Sequence, residues 1–222
     1  MSIEARFVPL STWRPLPDGE MQARSAEFAD ELGRRRTVRQ FSDRPIPTGV
    51  LEACLRAAAT APSGANLQPW HFVVVQDPLL KHRIREAAER EEREFYATAP
   101  AEWLEALAPL GTDEEKAYLD VAPALIAVFA ERYGVRPDGG RATHYYVQES
   151  VGIAMGLLIT AVHHAGLVAL THTPSPMGFL NKILGRPARE KAMLLLVVGF
   201  PAVDARVPDI SRKPLDSVVS WR

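Results

Sequence analysis

Four short apolar runs limit what this chain can fold into. They are HFVVVQ (71–76), ALIAVFAERY (124–133), LVALTHT (167–173) and AMLLLVVGF (192–200). Continuous aliphatic and β-branched runs of this length are typical of strands that are covered on both faces. Segments with helical spacing separate the runs, and this order predicts an α+β or α/β layered domain.

The segments between the strands predict helices at 21–36, at 49–61, from Asp77-Pro78 to about Tyr96, and at 143–165. Thr48 is a candidate N-cap of the second helix, and Asp77-Pro78 offers the third an N-cap and a first-turn proline. The last of these helices is long and apolar, and the tail after the last strand has no periodicity of its own. We therefore expect a second copy of the chain to complete part of the fold, as a homodimer.

Charge and cysteine content exclude several classes of protein. The 222-residue chain has a formal net charge of −1, whereas proteins that neutralise many phosphates carry a surplus of Lys and Arg, so no nucleic-acid partner is expected. Cys54 is the only cysteine, which excludes a disulfide framework and fits a cytoplasmic protein. No apolar run reaches the length of a membrane span or a signal peptide, so no membrane association is expected. His163 and His164 are adjacent on a helix and have no carboxylate nearby in sequence, so no metal site is predicted.

Arginines cluster before the second helix, in GRRRTVRQFSDRPIP (33–47), and a further pair, Arg212-Lys213, stands in the tail. Guanidinium groups bind phosphate bidentately, so such a cluster can hold a dianion without a basic protein. A solvated helix end is the ordinary alternative, since cations are favoured there. The loop APSGANLQPW (61–70) adds small residues and two amides, which suit a polar heterocycle. Together the two segments predict a site for one anion and one polar ring.

The ordered set RRTVR, APSGANLQPWHFVVV, LVALTHTP, VGFP and RKPLD resembles the nitroreductase-like flavoprotein superfamily, over nearly the whole chain from about Arg35 onward. Within it, the segments EEREFY, DEEKAYLDVAP and VPDISRKPLDSV are similar to those of the iodotyrosine deiodinases, which use FMN to dehalogenate halotyrosines reductively. The resemblance implies a soluble bacterial-type member with an α+β fold, in which helices flank a central, mostly antiparallel sheet, and an intertwined homodimer.

The resemblance also implies which residues contact FMN. The cofactor would lie at the subunit interface and meet residues from the Arg cluster, the opening loop, the end of the third strand and the tail: Arg35, Arg36, Thr37, Val38, Arg39, Ser63, Gly64, Thr171, His172, Thr173 and Arg212. Thr173 matches the threonine whose hydroxyl faces flavin N5 and favours one-electron steps, and it is the catalytic candidate. His172 stands where another threonine is expected; a strand-end histidine without a role is favoured, and ring contact with flavin or substrate stays open.

The substrate candidates are Glu92, Tyr96, Lys116 and Ala65. Glu92 and Tyr96 are four apart and therefore share one helix face. A carboxylate, a cation and a phenol could together receive an amino-acid zwitterion, although charges on a solvated helix have the same appearance in sequence. The resemblance implies the zwitterion site, and it implies that the Ala65 N–H meets the substrate phenolate.

The resemblance predicts a domain at 21–205 with an arm at 1–20, a lid at about 92–119 with an irregular centre at 97–115, and an extension at 206–222 that contacts the partner subunit. Three alternatives stay open: a general nitroreductase or quinone reductase using NAD(P)H, a flavin-consuming enzyme, and a non-enzymatic flavin-binding protein. No G-x-G-x-x-G fingerprint follows a strand, so the electron donor is either NAD(P)H docking on the flavin or a redox protein.

Overall fold

A computed structural model describes residues 4–222. The chain divides into two compact units, which meet in sequence at Arg35 and Arg36. The first unit contains helix α1 (Asp18–Gly33), which has no buried residue. The second unit holds every other helix and strand named below and the residues that pack as a core.

A four-stranded antiparallel sheet forms the centre of the second unit. Its strands are β1 (Trp70–Val75), β2 (Ala124–Glu131), β5 (Val168–His172) and β6 (Glu190–Gly199), in the order β1-β2-β6-β5. All four apolar runs are therefore strands, and the α+β fold with a mostly antiparallel sheet is confirmed.

Side chains on both faces of the sheet are buried. Along β2, Leu125, Ala127 and Phe129 join one apolar cluster, while the alternating positions 126, 128 and 130 join another. Helices α3 (Pro78–Thr98), α5 (Tyr118–Val121) and α7 (Gly178–Ile183) contribute buried residues to the first cluster. Helices α2 (Val50–Ala58) and α6 (Val147–His164) contribute to the second. Burial on both faces explains why these strands read as continuous apolar runs.

Helix ends follow the sequence signals in two of three cases. The Asp77 side chain accepts a hydrogen bond from the Leu80 N–H at 2.7 Å, and Pro78 opens α3. Helix α6 ends before Gly166, which has a φ of 78°. The predicted cap at Thr48 is wrong, because Gly49 occupies the N-cap position of α2 with a left-handed φ of 84° and no side-chain bond.

Two strands and two α-helices were not predicted from the sequence. A hairpin, β3 (Tyr133–Val135) and β4 (Arg141–Thr143), follows β2 directly. Helix α4 (Ala101–Leu107) stands in the segment predicted to be irregular, and α7 precedes β6. Within residues 4–222, none of the helices is long and apolar enough to cross a membrane.

Candidate active site

The structure brings Glu92, Tyr96 and Lys116 together. The Lys116 Nζ lies 3.3 Å from the Glu92 Oε2 and 5.8 Å from the centre of the Tyr96 ring. The side chains of Lys116 and Glu92 are only 3% and 14% exposed, so this is a largely buried ion pair and not a pair of solvated surface charges. The helical spacing of Glu92 and Tyr96 on α3 explains why both reach the same lysine.

The segment between α3 and Lys116 closes over this group. The Tyr96 hydroxyl is hydrogen-bonded to the Thr112 Oγ1 at 3.2 Å, and the Lys116 ammonium donates to the Asp113 carbonyl. Trp103 of α4 packs against Phe95 with ring centres 5.1 Å apart. Residues 97–115 therefore touch the same groups that would have to receive a ligand.

The loop at 61–70 is held in an unusual backbone shape. Ala65, Asn66 and Gln68 have φ values of 50°, 55° and 50°, in the left-handed region that non-glycine residues rarely adopt. The Ser63 hydroxyl accepts from the Gln68 N–H at 2.9 Å, and the Gln68 amide donates to the Asn66 side chain at 3.1 Å. The two amides thus brace the loop against itself. Backbone strain that surrounding bonds enforce is characteristic of ligand sites.

Gly64 is required by packing. A Cβ at this position would lie 2.6 Å from the Tyr145 carbonyl oxygen, and the Gly64 N–H donates to the Ser150 Oγ at 3.2 Å. The next residue differs, since the exposed Ala65 has no hydrogen-bond partner for its N–H within residues 4–222. Within the described residues, this loop therefore presents the Ala65 N–H as a free backbone donor beside its close contact with the segment before α6.

The Arg cluster runs beside β5. Thr37 forms a parallel bridge with Ala169, and the N–H of the buried Val38 donates to the Ala169 carbonyl at 3.3 Å. Arg36 donates to the Pro208 carbonyl in the tail. Parallel pairing sets Arg39 alongside the end of β5, where its charge acts on Tyr118 and His172. Among the described residues the Arg39 guanidinium has neither a hydrogen bond nor an ion pair.

Two further predicted cofactor residues are placed as follows. Arg35 ends the first unit, and its N–H donates to the Leu32 carbonyl at 3.1 Å. Arg212 is exposed in the tail, four residues beyond Pro208.

Strand alternation separates the three residues at the end of β5. Thr171 and Thr173 are exposed, whereas His172 between them is buried. The His172 Nδ1 lies 3.3 Å from the Tyr118 hydroxyl, and its Nε2 has no hydrogen-bond partner within the described chain. Burial, together with the positive charges of Lys116 and Arg39, lowers the pKa of His172 to about 3. The imidazole is thus neutral.

These groups fit the cofactor that the resemblance implies. The Arg39 guanidinium and the buried His172 Nε2, which have no partner within residues 4–222, call for a polar ligand. The exposed Ala65 N–H and the two exposed threonines can contact the same ligand. Cationic Arg36 and Arg39 suit an anionic or carbonyl-rich group. Within residues 4–222, no three His, Cys, Asp or Glu side chains gather as metal ligands would.

Sequence reasoning missed Tyr118 and Glu89. Burial raises the pKa of Tyr118, and Glu92 raises it further, so its phenol stays neutral beside His172. The Glu89 Oε1 accepts from the Lys116 N–H at 2.9 Å. Glu89 lies three residues before Glu92, so helical spacing from the predicted zwitterion site could have singled it out.

Comparisons with known proteins identify relatives of this chain. The sequence profile of the nitroreductase family, described as "Nitroreductase family", matches residues 32–200. The chain is 53% identical to an iodotyrosine deiodinase of Haliscomenobacter hydrossis over 220 residues, which cover 99% of both chains. It is 46% identical over 205 residues to human iodotyrosine deiodinase 1, covering 91% of this chain and 71% of the human protein.

Solved structures give the same relationship. An oxidized iodotyrosine deiodinase bound to FMN and 3-iodo-L-tyrosine superposes with a TM-score of 0.76 and 32% identity, covering 88% of this chain and 97% of that one. A BluB-like flavoprotein from Clostridium difficile superposes with a TM-score of 0.66 and 19% identity, over 87% of this chain and 98% of the other, which shows a shared fold.

The lowered pKa of His172 predicts a specific loss of stability in acid. An unfolded histidine binds its proton near pH 6.5, but the folded protein resists protonation of His172 until about pH 3. The free energy of unfolding should therefore fall below pH 6.5, by up to about 1.4 kcal/mol for each pH unit. The His172→Gln variant lacks this contribution, so urea titrations of both proteins between pH 7 and pH 4 should converge or cross as the pH falls. Parallel curves would contradict the assignment.

Proposed function

The chain belongs to the nitroreductase family, and from that premise we propose that it is an FMN-dependent oxidoreductase that dehalogenates halotyrosines reductively, giving tyrosine and halide. The observation that carries the proposal is the buried pair of Lys116 and Glu92. A surface helix has no need of an ammonium and a carboxylate held together away from water, whereas an amino-acid receptor needs both charges.

The charges of Lys116 and Glu92 are complementary to those of an amino-acid zwitterion. Lys116 is assigned to the substrate carboxylate and Glu92 to its ammonium, while Tyr96 lines the space beside the lysine, 5.8 Å from its nitrogen. A buried charge is costly unless it is paired. When the zwitterion enters, each protein charge exchanges its internal partner for one on the substrate, so none is left unpaired.

The phenol end of the substrate is assigned to the loop at 61–70. The Ala65 N–H forms no bond within residues 4–222, and it is held by a backbone with a φ of 50°. A fixed backbone dipole stabilises an anionic oxygen without reorganisation. Ala65 thereby favours the phenolate form.

The cofactor residues follow from the same arrangement. Backbone and side-chain groups of the Arg cluster, the opening loop, the end of β5 and the tail are assigned to FMN: Arg35, Arg36, Thr37, Val38, Arg39, Ser63, Gly64, Thr171, His172, Thr173 and Arg212. The arginines carry the phosphate and neighbouring polar atoms, and the exposed hydroxyl of Thr173 is assigned to flavin N5. Bound and reduced, FMN supplies the two electrons that, with one proton, replace the carbon–halogen bond by carbon–hydrogen and release halide.

Other segments of the chain are assigned to closing the site and to forming the subunit interface. Residues 97–115, within the lid at about 92–119, would open to admit substrate and close to exclude water, since Thr112 and Asp113 contact the receptor itself. A homodimer with FMN at the subunit interface would cover the apolar residues that α6 leaves exposed, among them Ile153 and Leu157. The extension at 206–222 and the arm at 1–20, whose first three residues lie outside the described residues, are assigned to contacts with the partner subunit. NAD(P)H or a redox protein would supply the electrons.

Turnover tests the proposal. The protein with bound FMN is expected to be yellow and to have the mass of two chains. It is reduced in the absence of oxygen and then mixed with 3-iodotyrosine. Reoxidation of the flavin with one tyrosine and one iodide per flavin supports a halotyrosine dehalogenase. Reoxidation by nitroaromatics but not by 3-iodotyrosine would instead identify a general nitroreductase. Reoxidation by neither would indicate a protein that only binds flavin, and loss of the flavin spectrum in air would indicate consumption of the flavin.

Replacing Glu92 with Gln should lower the affinity for 3-iodotyrosine without changing the affinity for FMN. The variant keeps the shape of the receptor but cannot neutralise the substrate ammonium, so 3-iodotyrosine should bind at least on the order of tenfold more weakly. FMN affinity should be unchanged, as flavin fluorescence titrations would show. The matched control is Glu86→Gln on the same helix, where the carboxylate is 58% exposed. Equal affinity of Glu92→Gln and the parent protein for 3-iodotyrosine would rule out the zwitterion assignment.

A further inference from the structure

The backbone of Lys116 is anchored to α3 independently of residues 97–115. Its N–H donates to the Glu89 Oε1 at 2.9 Å, and the same oxygen accepts from the Arg85 Nε at 2.7 Å. The Glu89 side chain is only 16% exposed. The residues before Lys116 make different contacts, since Thr112 and Asp113 meet Tyr96 and the lysine ammonium.

A second contact fixes the chain beyond Lys116. The Arg85 guanidinium also donates to the Asp120 Oδ2 at 2.9 Å, so Arg85 joins α3 to α5. The segment from Lys116 to Asp120 is therefore held at both ends by charged groups of one helix. Because that helix also carries Glu92, the lysine and its carboxylate partner share one framework.

Glu89 is suited to this role only as a carboxylate. Burial acts to raise its pKa, but the hydrogen bonds from Arg85 and from the Lys116 N–H outweigh it and hold the pKa below its ordinary value. An ionised carboxylate can accept both bonds through one oxygen. An amide at the same position would carry no negative charge to neutralise the Arg85 guanidinium, and hydrogen bonds to a neutral acceptor are weaker.

We propose that Glu89 is a positioning residue, which holds Lys116 where its ammonium meets the substrate carboxylate whether residues 97–115 are open or closed. This inference rests on the proposed function. When residues 97–115 move away, Lys116 loses the Asp113 carbonyl but keeps its anchor on α3. The charged half of the receptor is thus formed before the substrate arrives, and lid closure adds enclosure without having to build the site.

The test is a comparison of four proteins loaded with FMN: the parent, Glu89→Gln, Lys116→Met and the double variant. Flavin fluorescence reports the affinity of each for 3-iodotyrosine. In the parent background, Glu89→Gln should weaken binding on the order of tenfold. In the Lys116→Met background the same change should alter affinity less than about twofold, because a residue that acts through Lys116 has nothing left to position. Glu86→Gln is the control and should bind as the parent does.

Two results would overturn the inference. One is unchanged affinity in Glu89→Gln. The other is an equal loss in both backgrounds, which would make Glu89 a general structural residue. If Glu89→Gln does not fold, Glu89→Asp keeps the charge but shortens the reach, and it allows the same comparison. Failure of the parent protein itself to bind 3-iodotyrosine would count against the proposed function and not against the role of Glu89.

Discussion

A buried ammonium must be paired, and the requirement to pair Lys116 organises the site. Its partner Glu92 lies on α3, its backbone is held by Glu89 one turn earlier, and its charge is capped by a carbonyl from the lid. Removing one member of a buried pair costs about 3–5 kcal/mol, because the other is left charged and unpaired. Only a ligand with both charges can open this pair without that cost.

The sheet positions several of the residues that are assigned to the cofactor. Alternation along β5 exposes Thr171 and Thr173 and turns His172 inward, toward Tyr118. The chain of the Arg cluster pairs beside the same strand, through Thr37 and Ala169. Tyr118 is two residues beyond Lys116, and its hydroxyl contacts His172. This contact joins the strand before Thr173, which is assigned to flavin N5, to the segment that carries Lys116, which is assigned to the substrate. The two halves of the proposed reaction thus share one framework.

Patterns with a fixed period were predictable from the sequence. Continuous apolar runs gave all four strands of the sheet, and the spacing of four between Glu92 and Tyr96 placed them on one face. Contacts between distant segments were not predictable. The residues that flank Gly64 in the sequence do not indicate that it leaves room for the Tyr145 carbonyl. Those that flank His172 do not indicate that it contacts Tyr118. The hairpin of β3 and β4 and the short helices α4 and α7 span too few residues for a periodic signal. The N-cap of α2 was also not predictable, because Gly49, with its left-handed backbone, takes the position expected for Thr48.

The central claim is that the Lys116–Glu92 pair is an amino-acid receptor, and a crystal structure with FMN and 3-iodotyrosine tests it most directly. The account predicts that the substrate carboxylate lies within hydrogen-bond distance of the Lys116 Nζ, that its ammonium meets Glu92, and that its phenolate oxygen faces the Ala65 N–H. A halotyrosine bound elsewhere, with the Lys116–Glu92 pair intact and no contact to either charge, would contradict it.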